Sequence, residues 1–549
     1  MPSEVKRGFV RIATNYVRLF ASVVLGLFLV RLLLRSVGED GFGLVSLFGS
    51  TVGLAAMFKE IIRASMIREL GSAYHSGDPG LFRGVYNTAL AITCTVGAFV
   101  LVLFVLIWIF IDLFEINGMV SAARGLVAAR ALEVFCTIAL APTFNMYLVS
   151  ERMTEHNLWL LMEQRLAQFI AALWVVFLAS PASASEALIL FSWSSSLLTV
   201  AGLLIACGVM VHRDRRLAPA PRLVNRAALR SILGIGGWNI AVVTAMNLHI
   251  RVNAVIMNLA FGLLANTIFG LAVQLTSYTR RLAVGVTDGL DSVSARMTSG
   301  PESESGRLSR LIHHSTRLNG FVTFPSTVAV VLLAGPMLQV WVGDRLDNPL
   351  QTIPPAAQMI AILSIGIAVR SVADGWTRIL YGAGHVRQYA PWVLAGGLAN
   401  PVLCFLLIWL LQGGTAEWNA PAWAFTLSVG AVHGVIIPWI GARLVSLRAR
   451  DLLAPLIRPL IASLLAIPVL WGVMEFIEAW TLWTLGLALG VYGVTYALLS
   501  CFITLTASDW QLLKRLVRGG GRGDGAGRSR PRRRSAESGD DVRPGIGFD

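Results

Sequence analysis

Long apolar runs separated by short polar intervals recur from one end of the chain to the other. A helix needs about 20 apolar residues to cross a bilayer core. Read in windows of that length, the pattern predicts helices over 12–36, 43–68, 85–112, 122–149, 157–180, 186–211, 231–259, 264–297, 306–333, 355–382, 388–412, 421–445, 456–478 and 482–506. The expected fold class is therefore an all-α polytopic membrane protein with about 14 transmembrane helices. The first run begins after Lys6, Arg7 and Arg11 and ends in RLLLRS, with no small-residue cleavage site. It reads as a transmembrane helix rather than a signal peptide.

The polar intervals alternate in charge. One set is basic: the N-terminus, KEIIRASMIREL, the linker HRDRRLAPAPRLVNR, SGPESESGRLSR, GHVRQ and RLVSLRARD. The other set is GEDG, IDLFEING, SPASASE, DRLDNP, GGTAEWN and EFIEAW, acidic or neutral apart from Arg35 and Arg345. Basic loops stay in the cytoplasm. Both termini are thus expected on the cytoplasmic side of the cytoplasmic membrane, and an even number of helices agrees.

Composition fits this picture. The 549 residues are 55% hydrophobic and 14% charged, where soluble domains carry about 25% charged residues. The net charge of +14 sits mostly in short loops, without the interleaved aromatics of a nucleic-acid surface, so no nucleic-acid partner is expected. Cys94, Cys136, Cys207, Cys404 and Cys501 all fall in apolar runs without a C-x-x-C pair and read as small buried hydrophobes. Residues 509–549 are rich in Gly, Arg and Ser. They hold too little apolar surface to fold, which predicts a disordered basic cytoplasmic tail.

The basic linker at 212–230 divides the helices into six and eight. GFGLV at 41–45 opens the second helix and IFGLAV at 268–273 lies early in the eighth; MIRELGSA and SARMTSG follow at similar spacings. This predicts two pseudo-symmetric six-helix bundles, 1–225 with its linker and 226–446, then two further helices at 447–508. Repeats of six helices insert in the same orientation, so a path for cargo is expected where the halves meet.

Three stretches carry a resemblance to a known family. NYVRLFASVVLGLFLVRLLLRSVGEDGFGLVSLF resembles the first two helices of oligosaccharide flippases of the multidrug/oligosaccharidyl-lipid/polysaccharide exporter superfamily. IRVNAVIMNLAFGLLANTIFGLAVQL resembles the entry to the second half in the same family, and RSVADGWTRILYGAGHVRQY the end of its tenth helix. The resemblance spans about residues 10–500. It implies two lobes around a central cavity, alternating access, a lipid-linked sugar as cargo, and polysaccharide assembly proteins as partners.

Charges inside apolar helices carry the chemistry, because each costs about 2.5–3.5 kcal/mol at a helix centre and so faces water or a partner. In NLHIRVN at 247–253, Asn247 and Arg251 share one helical face, and His249 and Asn253 nearly the opposite one. Both faces cannot meet lipid. Asn247 and Arg251 are expected to face the cavity; interhelical hydrogen bonds are the alternative. Arg370, Asp374 and Arg378 form an i+4 ladder, either a cationic stripe on the path or a buried salt bridge. Arg18 and Lys59 are placed at the inner mouth, whereas Arg63 is expected to snorkel to lipid phosphates. Arg124 is expected at the outer interface, and Arg130 and Glu133 as a pair. The candidate cargo-binding set is Arg18, Lys59, Asn247, Arg251, Arg370, Asp374 and Arg378.

Basic groups outnumber acidic ones within the spans, which suits an anionic cargo. Arginine forms bidentate bonds to phosphate, so a pyrophosphate headgroup is expected; acidic sugars suit a positive cavity equally. No metal-ligand spacing or phosphate-binding loop is present, and neither a cofactor nor catalysis is expected. Two other classes remain. A cation-coupled multidrug antiporter of the multidrug and toxin extrusion type wants a deep carboxylate, for which Asp374 is the strong candidate. A polysaccharide polymerase or ligase wants a large outer loop, and the longest outer loop is about 342–354.

Overall fold

A computed structural model describes residues 2–504 apart from 235–236, 288–289, 299–303, 414–415 and 445–447. The expected tail at 509–549 lies outside the described residues. The described chain is almost wholly helical, with short turns between the helices. In order it runs α1 (Pro2–His75), α2 (Pro79–Ile109), α3 (Val120–Ala139), α4 (Ala141–Val149), α5 (Met153–Leu161), α6 (Ala167–Trp174), α7 (Ala184–Arg213), α8 (Arg226–Gly234), α9 (Gly237–Thr287), α10 (Leu290–Thr298) and α11 (Glu304–Val342). Then come α12 (Pro349–Gly382), α13 (Val386–Leu410), α14 (Ala420–Val429), α15 (Ile437–Leu444), α16 (Ala449–Leu465), α17 (Ile467–Glu475) and α18 (Leu482–Ile503).

Among the described residues, eleven helices are long and apolar enough to cross a membrane, and α3 with α4, bent by 48° at the Leu140 break just before Pro142, make a twelfth. Proline removes a backbone donor there and bends the helix. Both α1 and α9 contain one glycine with left-handed backbone, Gly38 at φ 70° and Gly262 at φ 76°. Only glycine takes this conformation cheaply, so each long element is two legs joined at a glycine. Counted by legs, the spans are compatible with the fourteen expected. The chain is a multi-pass membrane protein.

The legs that follow these two glycines cross where the halves meet. A Cβ on Gly43 would lie 2.5 Å from the Leu263 carbonyl oxygen, and one on Gly270 would lie 2.5 Å from Ser46 Oγ. Small residues let the two backbones approach, as in close-packed membrane helices. Each half thus sets a glycine against the other at this crossing. The two FGL motifs are not equivalent positions, however. Gly43 follows Gly38 by five residues and Gly270 follows Gly262 by eight, about one helical turn further. Measured from the kink glycines, the two FGL motifs stand about one helical turn out of step.

The buried clusters describe how the halves meet. One cluster combines Leu29–Phe48 positions and α3 with Leu263, Phe269, Leu338, Met359 and Phe425, so it draws on both halves. A second contains only residues between Met66 and Ile232 and a third only residues between Ala245 and Leu452. The halves therefore share a core at the end bearing Gly38 and Gly262, here the distal end, and have separate cores toward the other. The linker is ordered against the first half. Asn87 Oδ1 accepts from the Ala220 N–H at 2.6 Å and Thr88 Oγ1 from the Asn225 N–H at 2.8 Å. Arg216 stacks over Tyr74 and Phe82, and its guanidinium holds the Asp214 carboxyl below the usual carboxylate range. Helix α8 also packs on this half through Ala228 and Ile232. Helices α16–α18 pack against α11, with Tyr496 Oη donating to the Phe321 carbonyl at 2.8 Å.

Candidate functional site: an arginine-lined cavity between the halves

At the distal end, hydrogen bonds tie one half to the other. Glu39, 6% exposed, accepts from the Asp347 N–H at 2.6 Å, the Asn348 N–H at 3.3 Å and Thr352 Oγ1 at 3.0 Å. Its own carbonyl accepts from Thr267 Oγ1 at 2.6 Å. Arg31 bridges to Asp344 at 2.8 Å and donates to the Trp341 carbonyl, while Trp341 Nε1 donates to the Leu27 carbonyl. The Asn258 amide exchanges two bonds with the Glu115 backbone. A carboxylate that keeps three donors is cheap to bury, so this end is sealed by polar groups that satisfy one another.

Beneath the seal lie three adjoining compartments of about 580, 520 and 450 Å³, all lined by Arg251 and Arg281. The largest faces the second half and also takes Arg18, Arg280, Arg378, Asn15, Ser277 and Thr276. The second faces the first half. The third is the apex under the seal, reaching Ser46, Gly49, Arg130 and Gln274. Among the described residues, eight arginines and three glutamates line the three spaces.

NLHIRVN sits at the centre. Arg251 Nε donates to Asn247 Oδ1 at 2.7 Å, and Asn247 Nδ2 donates to the Val243 carbonyl. Both side chains line the cavity. On the other face, His249 (0% exposed) meets Ser428 Oγ at 3.2 Å and Asn253 Nδ2 donates to the Pro421 carbonyl at 3.1 Å. Asn247 and Arg251 open to the cavity, while His249 and Asn253, which also border the largest compartment, brace α9 against α14. The guanidinium of Arg251 rests on α1 at Gly53, where an added Cβ would lie 1.2 Å from Nη1. No side chain could be accommodated there without moving Arg251. Gly53→Ala is expected to cut transport about tenfold, near the effect of losing one charged hydrogen bond, while membrane levels stay normal. Gly71→Ala on the same helix, where a Cβ meets nothing within 4 Å, is the control. Equal transport by both would refute the fit.

The other expected residues divide. Arg18 lines the largest compartment, donating to Asn15 Oδ1 at 2.9 Å and to Gln164 Oε1 at 3.3 Å. Arg378 lines the same space. Arg370 is 5% exposed and enclosed within the second half, outside the lining of the three compartments. The salt bridge of Asp374 runs across to Arg280 of α9 at 3.3 Å, not only along its own ladder, because α9 and α12 pack side by side. The Lys59 side chain lies outside the described residues. Arg63, expected to snorkel, instead lines the first-half compartment and pairs with Glu60 at 3.4 Å. Arg130 pairs with Glu133. Arg124 pairs with Asp112 at the distal end and stacks on Trp108.

Among the lining groups that escaped the sequence reading are Arg280 and Arg281 in YTRRLAV, Gln164, Gln168 and Gln274. The double arginine lies inside an apolar run, so the rule that singled out Arg251 would have found it. Glu163, Gln164 and Arg165 all line the cavity in succession because Met162–Leu166 is a π-helical turn, a widening common at functional sites. Arg165, Arg251 and Arg281 carry no salt bridge among the described residues. Arg281 stacks on Tyr278, whose hydroxyl accepts from Gln274 at 2.7 Å.

The fold is that of transporters of the MOP superfamily. A structure of the lipid II flippase MurJ in an inward closed conformation aligns with TM-score 0.65 at 12% identity, covering 89% of this chain and 98% of that one. An inward-facing multidrug resistance MATE transporter of the MOP superfamily aligns with TM-score 0.63 at 12% identity, over 79% and 98% of the two chains. In sequence, the uncharacterized membrane protein EpsK of Bacillus subtilis (strain 168) is 20% identical over 525 residues, 93% of this chain and 98% of that protein. No family model matches the chain.

Proposed function

We propose that the protein flips a lipid-linked oligosaccharide or polysaccharide precursor, carried on a polyprenyl diphosphate, across the cytoplasmic membrane by alternating access. The observation that carries this reading is the cavity wall of Arg165, Arg251 and Arg281, held without salt bridges among the described residues between two halves sealed at one end. Guanidinium forks match phosphate oxygens two at a time. A low-dielectric chamber with eight arginines against three glutamates favours an anion. With both termini in the cytoplasm, the sealed end is the outer one and cargo enters from inside. Its phosphates settle between Arg251 and Arg281, its lipid tail stays in the bilayer, and breaking the Glu39 and Arg31 seals lets the halves rock. The MurJ structure, a lipid II flippase with this fold, supports the reading. The cytoplasmic membrane and polysaccharide assembly partners belong to the same proposal.

The antiporter alternative needs a deep carboxylate that exchanges cations. Asp374 is bridged to Arg280 and packed near Arg370 and Arg378, which opposes cation binding. The test is reconstitution of the full chain in proteoliposomes with a fluorescent polyprenyl-diphosphate sugar. Protein-dependent movement of the sugar between leaflets is expected. Cation-driven dye transport with no lipid movement would replace this reading with the antiporter.

A further inference from the structure

A second group of polar side chains lies inside the second half, away from the arginine wall. Arg370 of α12 is 5% exposed and His433 is fully buried. Neither lines any of the three compartments. Arg370 forms no hydrogen bond or salt bridge among the described residues; its Nε and both ring nitrogens of His433 are buried without a partner. His433 sits in a π-helical turn, Gly430–Ile436, a widening common at functional sites. That turn packs on α12 beside Arg370: a Cβ on Gly434 would lie 3.1 Å from Cγ1 of Val369. His249 of α9, which also borders the largest compartment, completes the group. Ser428 Oγ meets its Nδ1 at 3.2 Å and accepts from Asn400 Nδ2 at 3.3 Å, while Nε2 of His249 has no partner. Arg370 acts electrostatically on both imidazoles.

Charge does not balance here. Asp374, one turn along α12, attracts Arg370, but its salt bridge runs to Arg280 at 3.3 Å, and Arg378 faces the cavity. Arg280 and Arg370 thus share one carboxylate. An uncompensated charge is strongly unfavourable in a protein interior, and water would satisfy the free donors without neutralising it. Buried polar groups left unpaired by the protein point to a missing ion or water. We propose that Arg370, His433 and Nε2 of His249 hold a small monovalent anion of chloride size, which ties α9, α12 and the Gly430–Ile436 turn into one rigid unit. In the tautomer this requires, Nδ1 of His249 accepts from Ser428 Oγ and Nε2 carries the proton. One surplus charge calls for a monovalent ion, and side chains so enclosed favour a compact ion over a phosphate. The site is separate from the wall of Arg165, Arg251 and Arg281 and does not depend on what the cavity carries.

The test is the thermal unfolding midpoint of the purified full chain in chloride and in gluconate at equal ionic strength. The midpoint is expected to lie several degrees higher in chloride, as for a ligand that binds the folded state alone. Equal midpoints overturn the proposal, and that comparison requires no variant. Arg370→Met keeps the length and removes the charge. It is expected to abolish the shift, and apolar replacement of a buried charge is commonly tolerated. The double variant Arg251→Ala with Arg281→Ala, which strips the cavity wall, is expected to keep the shift. A shift that survives Arg370→Met, or one lost with the wall arginines, overturns the assignment to the second half. Should Arg370→Met fail to fold, bromide soaked into wild-type crystals decides the matter. An anomalous peak in contact with Arg370 and His433 is expected, and its absence there overturns the site.

Discussion

Alanine at Arg251 is expected to lower transport of a diphosphate-linked cargo by about 10- to 100-fold, the cost of one to two charge-assisted hydrogen bonds. Arg251 lines all three compartments. Its Nε is already oriented by Asn247 at 2.7 Å, and its terminal nitrogens lie against Gly53 rather than a carboxylate. On the proposed function, losing it removes a preorganised phosphate donor and leaves the brace of α9, because His249 and Asn253 still bond to α14. Arg251→Lys keeps the charge without the planar fork, so partial recovery is expected. The measurement is flipping rate in proteoliposomes normalised to inserted protein. Transport within twofold of wild type in the alanine variant would remove Arg251 from the site.

Glu39→Ala is expected to open the distal end. Its carboxylate takes three bonds from across the interface, and bonds to a charged group contribute about 1.5–3 kcal/mol each, not additively. A loss of roughly 3 kcal/mol shifts the balance between sealed and open forms by more than 100-fold. Glu39→Gln keeps an acceptor and should shift it less. The readout is a cysteine at Ser46, at the apex under the seal, in a background without the five native cysteines. A membrane-impermeant thiol reagent applied outside should label it faster in Glu39→Ala. Unchanged labelling would mean that the neighbouring Arg31–Asp344 and Asn258–Glu115 contacts hold the seal without Glu39. Transport should fall as well, since a cycle that rests open on one side returns slowly.

Part of the cavity lining was legible because hydrocarbon penalises charge one segment at a time. Arg251 and Asn247 stood out in an apolar run for that reason, and their i,i+4 spacing fixed which face they share. The same reasoning applied to YTRRLAV would have found Arg280 and Arg281. Other features left no local mark. Glu39 reads as an ordinary acidic turn residue in GEDG, and its partners are about 310 positions away. Gly53 is one glycine among many until Arg251 is seen lying on it. The FGL letters suggested a repeat, but measured from the kink glycines Gly38 and Gly262 they stand about one helical turn out of step.

The amino-acid sequence by itself determined an all-helical chain of many membrane spans, an excess of arginine within them, and a polar face on α9 that could not meet lipid. Each is settled by the exchange of a single segment between water and hydrocarbon. Only the tertiary structure decided which arginines gather around one space, that Arg370 is enclosed away from it, that Asp374 answers to Arg280, and that the glutamates collect on one side. Those outcomes depend on how helices distant in the chain pack, and a side chain's partner in a membrane is chosen by the neighbouring helix rather than by its neighbours in sequence.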